Sequence, residues 1–141
     1  MKTPKVVALL AAMALSITTG RADELERVST AFQRELPNVQ GKSLVAVVVA
    51  YAPGGKSASH RHPKSAFVYA HVLSGAIRSQ VDDDPARVYQ VGEGFYELPG
   101  SHHRVSENAS DQEPASLLAI FIVDSRDSHL AIPDQKQGIA R

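Results

Sequence analysis

AFVYAHVLSGAIRSQVDDDPARVYQVGEGFYEL, residues 66–98, decides the fold class. AFVYAHVL, AIRSQV, ARVYQV and FYEL are short runs rich in β-branched and aromatic residues, the composition of strands. Gly75, DDDP and GEG stand between them, and Gly, Asp and Pro are turn formers. The same pattern continues on both sides. SLVAVVVAYA (43–52) is a buried-strand sequence stopped by PGG, FYEL is closed by Pro99 and Gly100, HHRVSE follows, and SLLAIFIV (116–123) is a last apolar strand. Short strands at this regular spacing predict an all-β sandwich or barrel.

The flanks carry less pattern. In residues 23–42, Leu25, Val28, Phe32 and Leu36 fit a helical stripe, while Val28, Thr30 and Phe32 alternate as a strand would. This segment is read as an N-terminal arm of open form, and as the candidate contact of a homodimer. Residues 125–141 are polar and aperiodic, expected to lie loosely on the surface of a domain spanning 43–124. At the other end, Lys2 and Lys5 precede VVALLAAMALSITTG, followed by small residues and then charged RADELER. That is the order of a secretory signal peptide over 1–22, with cleavage after Ala22 or, alternatively, after Gly20. The apolar run is short for a membrane span, so export to the periplasm or medium without stable membrane insertion is expected; an uncleaved anchor is the alternative.

The chain has 141 residues, zero formal net charge and no cysteine. It is long enough for one core without disulfides, and neutrality offers no electrostatic basis for nucleic-acid binding. Asp82, Asp83 and Asp84 lack the spacing of a calcium loop and read as a turn. No phosphate-binding glycine loop or Gly-x-Ser-x-Gly elbow is present.

The chemistry lies in the histidines. His60 and His62 are i, i+2 neighbours, so in an extended segment both imidazoles leave one face. Imidazole suits zinc, copper, iron and nickel alike, and a pair of exposed loop histidines would look the same. A second cluster, PGSHHRVSEN (99–108), adds His102 and His103, of which one must point inward.

With both clusters in view, the sequence resembles the cupin superfamily. Gly55, His60-x-His62 and Gly75 are similar to the first cupin motif, G-x5-H-x-H-x3,4-E-x6-G. Gly92, Pro99, Gly100, His103 and Asn108 are similar to the second, G-x5-P-x-G-x2-H-x3-N, with small departures in spacing. The resemblance implies a double-stranded β-helix, or jelly-roll barrel. It implies a divalent transition metal (Fe, Mn, Ni, Cu or Zn) on His60, His62 and His103, with His102 outside. It makes dioxygenase-type chemistry on a small organic substrate the leading expectation, and a non-catalytic module binding a small molecule or metal the alternative.

The motif's glutamate is missing. Counting from His62 places it at Phe67 or Ala66, and counting back from Gly75 places it at Val68. Three arrangements compensate: a three-histidine site, Glu97 as ligand or catalytic base, or His71 as fourth ligand. Glu97 could equally face outward on an alternating strand, and His71 faces inward only if Phe67 does. Phe67, Val68 and Tyr69 are the candidate cavity-lining residues, and their apolar character favours a small hydrophobic or aromatic ligand.

Overall fold

A computed structural model describes residues 25–135; the signal-peptide reading, residues 23–24 and the tail beyond 135 lie outside the described residues. Among those described there is no helix. Ten strands form: β1 (Glu26–Glu35), β2 (Lys42–Tyr51), β3 (His60–Arg61), β4 (Phe67–Ser74), β5 (Ala76–Val81), β6 (Arg87–Gln90), β7 (Gly94–Glu97), β8 (His102–Asn108), β9 (Ala115–Asp124) and β10 (Ile132–Pro133). They make two five-stranded antiparallel sheets, ordered β1-β2-β9-β4-β7 and β10-β3-β8-β5-β6. The architecture is the double-stranded β-helix that the turn spacing and motifs imply.

Alternation along each strand builds the core between the sheets. Val45, Val47 and Tyr51 of β2 meet Val68, Ala70 and Val72 of β4 and Leu117, Phe121 and Val123 of β9, with Ile77 and Phe95 closing the cluster. Gly75 has φ 65°, and a Cβ there would stand 2.5 Å from the Pro114 carbonyl oxygen. The break between β4 and β5 therefore requires glycine for both conformation and space. Asp82 opens the DDDP turn with φ 51°, a left-handed conformation that Asp tolerates better than most residues.

Both flanks are parts of the sheets. The arm is strand β1, paired along β2 with a bulge between Thr30 and Phe32. The expectation of a loose tail does not hold within the described residues: Ile132 and Pro133 pair with Arg61 and His60. A two-residue strand within the short stretch LAIP (130–133) is too brief to show a period.

Candidate metal centre

The centre is built where β3, β7 and β8 meet. His60 lies directly across from His103 in the β3–β8 ladder, so their side chains share a face. His62 follows one step beyond β3; its backbone N–H donates to the Ser101 carbonyl, and the Gly100 N–H donates to the Pro63 carbonyl. These two bonds lock the loops of the two histidine clusters together. The three rings stand with centroids 4.9, 5.2 and 6.1 Å apart. Each offers one ring nitrogen lying within 4.8 Å of the others.

Glu97 reaches the same place from β7. Its side chain is 2% exposed, so the outward alternative fails. Oε2 lies 3.1 Å from His62 Nε2, and Oε1 lies 3.5 Å from His103 Nδ1. His71 and two of the candidate lining residues are on the other side of the sheet. Val68, Ala70 and Val72 point in; Phe67 and Tyr69 are each 41% exposed, and His71 makes a 3.1 Å contact with the Tyr69 hydroxyl. His71 therefore does not reach the histidine cluster, and Phe67 and Tyr69 do not line the cavity, whereas Val68 does. The Val68 register holds because β4 alternates without interruption up to a bulge between Val72 and Ser74.

Hydrogen bonding fixes what each ring offers. His60 Nδ1 is 2.7 Å from the Ala58 carbonyl, and His62 Nδ1 is 2.7 Å from the Leu130 carbonyl. A carbonyl only accepts, so both Nδ1 atoms carry the proton and both Nε2 atoms are left as lone pairs in the neutral rings. His103 Nε2 meets Ser79 Oγ at 2.9 Å, which leaves Nδ1 towards Glu97. His62 Nε2 and Glu97 Oε1 are buried with no hydrogen-bond partner, and the 3.1 Å approach of His62 Nε2 to Glu97 Oε2 has ion-pair distance without hydrogen-bond geometry. Two acceptors facing each other in an apolar interior are costly unless a cation lies between them. A separation near 3 Å is also the adjacent-ligand spacing expected for metal–ligand bonds of about 2.1 Å. The residues fit a divalent metal.

Electrostatics agree with that fit. Burial pushes the His103 imidazole down to about 4. Burial also lowers His60, more than the Ala58 carbonyl raises it. Burial works against a charged His62 as well, but the Glu97 carboxylate outweighs it and holds that ring above its ordinary value. For Glu97, burial opposes ionisation, and the imidazoles of His62, His103 and His60 overcome it, so the carboxyl lies below its ordinary range. With His60 and His103 held towards their neutral forms and Glu97 towards its ionised one, a divalent ion would take the place of the proton that the carboxylate otherwise favours on His62.

The chain matches the cupin domain family over residues 47–121. It belongs to the cupin superfamily. No curated protein matches it. Among solved cupin structures it is similar to DMSP lyase DddQ from Ruegeria pomeroyi DSS-3, at 18% identity and TM-score 0.63 over 89% of this chain and 62% of that one. It is similar to an uncharacterized conserved protein with a double-stranded beta-helix domain from Klebsiella pneumoniae subsp. pneumoniae MGH 78578, at 19% identity and TM-score 0.61 over 84% and 98%. It is also similar to an oxalate oxidase, at 24% identity and TM-score 0.50 over 58% and 46%; this cupin thus spans less than half of that enzyme's length. These likenesses show the fold.

The cluster opens on a cavity of about 260 Å³ walled mainly by Val47, Val49, Val68, Phe95, Leu117 and Phe121. That is just below the roughly 300–1,000 Å³ of ordinary ligand clefts and suits a small apolar body. Sequence reasoning did not single out Leu130, whose carbonyl sets the His62 tautomer, nor Glu26, Tyr51, Ser57 and Ser106, which also line the cavity. None of these sits in a motif, and only the pairing of distant strands brings them together. Asn108 of the second motif is structural: its amide donates to the Ala52 and Glu113 carbonyls and its oxygen accepts from the Ser110 N–H. His102 faces away from the cluster and is held by Asp134 at 2.8 Å.

Proposed function

We propose that this cupin is an exported protein that holds a divalent transition metal on His60, His62 and His103, with Glu97 as fourth ligand, and acts as a dioxygenase-type oxidoreductase on a small organic molecule. The observation behind this reading is the pair of buried, unpartnered acceptors, His62 Nε2 and Glu97 Oε1, beside two further imidazoles at the end of an apolar cavity. Bound there, the metal would supply Lewis acidity and open positions for oxygen ligands. The protein's own part is specific. Ala58 and Leu130 orient two rings, Ser79 orients the third, and the valine and phenylalanine walls exclude water from the ligand. Among the described residues Glu97 is the carboxylate in contact with the cluster and the candidate to take a proton from a ligand hydroxyl. Two of the similar structures are an oxalate oxidase and a DMSP lyase, which supports small-molecule chemistry as the class. The exposed Phe32, Tyr69 and Tyr96 on the outer face of the sheet β1-β2-β9-β4-β7 support a homodimer.

Metal analysis of protein purified without added metal tests the centre. About one equivalent is expected in the wild type and near zero in His60→Ala/His62→Ala. Equal, negligible contents would remove the metal centre. Oxygen uptake over a panel of phenols tests the activity; a flat trace with metal present would instead make this a binding module.

A further inference from the structure

The cavity wall contains a second polar group that metal binding does not use. Glu26, Tyr51, Ser57 and Ser106 all line it. Tyr51 Oη lies 2.8 Å from Ser106 Oγ and 2.5 Å from Ser57 Oγ, and Ser57 Oγ–H donates to Glu26 Oε1. These residues come from three distant places: Glu26 and Tyr51 are register partners in the β1–β2 ladder, Ser57 lies in the loop before β3, and Ser106 is on β8.

The direction of each proton follows from the acceptor at the end. An ionised carboxylate only accepts, and each hydroxyl has one proton. Ser57 spends its proton on Glu26, so it can only accept from Tyr51. Tyr51 spends its proton on Ser57, so it can only accept from Ser106. The chain therefore runs Ser106 to Tyr51 to Ser57 to Glu26, with every donor used. Burial raises the Tyr51 phenol above its ordinary value, which keeps it a neutral hydroxyl in this chain. What the group has left to offer is lone pairs and the charge of Glu26. That charge is uncompensated: Glu26 takes part in none of the ion pairs among the described residues.

An acceptor-only cluster with a free negative charge, set in an apolar wall, selects one ligand chemistry. We propose that Glu26, Ser57 and Tyr51 form a polar subsite that takes the protonated amine of a small, otherwise apolar ligand. An ammonium brings three donors and a positive charge, matching what the subsite lacks. A carboxylate would meet repulsion and no donor. This rests on the reading of the cavity as a small-molecule site, and it holds whether or not the histidine cluster carries metal.

Benzylamine and benzyl alcohol, which share a ring and differ in the head group, test it by calorimetric titration at pH 7. The wild type is expected to bind benzylamine about tenfold more tightly than the alcohol, because the hydroxyl brings one donor and no charge to the Glu26 carboxylate where the ammonium brings three donors and a charge. Glu26 is only partly buried, so Glu26→Gln should fold and melt as the wild type does. It should lose the tenfold preference, leaving the two probes within about threefold of each other. Equal affinity of the wild type for the two probes, binding of neither, or a preference retained in Glu26→Gln would overturn the subsite. Metal content measured on the same samples keeps the two readings apart. Absent metal with an intact amine preference strikes only the centre, and lost preference with metal intact strikes only the subsite.

Discussion

Glu97 and Val68 are partners across the β4–β7 ladder. Val68 is one of the positions to which the family's glutamate maps, and opposed residues in an antiparallel pair point to one face with Cβ atoms about 5 Å apart. The carboxylate is thus still on the cavity wall, one strand over. Glu97→Val should lower metal affinity by about 100-fold or more, beyond the 10–100-fold typical of a ligand's supporting partner. The exchange Val68→Glu/Glu97→Val keeps the summed volume and returns the acid to the motif position, so it should regain much of that loss. Competition with a chelator of known affinity measures both. Wild-type affinity in Glu97→Val would show that Glu97 is no ligand. The sequence marked Glu97 as a candidate but left its direction open, because FYEL is too short for alternation to say which side is buried. The structure decides it through pairing with β4.

At the scale of elements, strands were readable where their own residues specify them, and unreadable where a partner does. β2, β4, β5 and β9 have long apolar or alternating runs, so their existence could be seen in the chain. The register of β4 could not be counted from the motif, because the HPKSA loop differs in length from the family spacer and a one-residue slip exchanges the faces. That slip is what made Phe67, Tyr69 and His71 candidates. β10 is specified almost wholly by contacts. Asp134 N–H donates to the Ser59 carbonyl, its carboxylate accepts from Ser59 Oγ at 2.7 Å and faces His102 at 2.8 Å, and Leu130 supplies the acceptor for His62 Nδ1. Ending the chain after His129 should therefore reach the metal centre without touching a ligand. The His62 ring would lose its fixed tautomer, and metal affinity should fall about 10–100-fold. Asp134→Ala, which loosens β10 and leaves the Leu130 carbonyl in place, should cost less. A truncated protein that titrates with metal like the full chain would contradict this role.

For the whole molecule, the outer face of the sheet β1-β2-β9-β4-β7 is the unusual feature. An antiparallel sheet with one side in water normally alternates apolar and polar residues. β9 instead has no charged residue between Ala115 and Val123, and its outward positions Leu118 and Ile120 are as apolar as its inward ones. The register aligns Phe32, Ala46, Ile120, Tyr69 and Tyr96 in one row across all five strands. Phe32, Tyr69 and Tyr96 are 52%, 41% and 63% exposed, and Phe67 stacks on Tyr96 beside them. Five strands about 4.8 Å apart and some seven residues long cover roughly 600 Å², close to the roughly 800 Å² per partner of a stable interface. The row has no charge for an oppositely charged partner to recognise, which favours the proposed homodimer through the same face of a second copy, with β1 contributing Phe32. Sedimentation at tens of micromolar should give twice the chain mass. Tyr69→Glu and Tyr96→Glu place charges on exposed positions, so the barrel should fold and keep its metal. Each substitution sets an unpaired carboxylate into the apolar contact in place of an aromatic ring, which should cost about 2 kcal/mol or more, roughly thirtyfold in dimer affinity. A monomeric wild type, or a double variant that still sediments as a dimer, would mean that this face is not the contact.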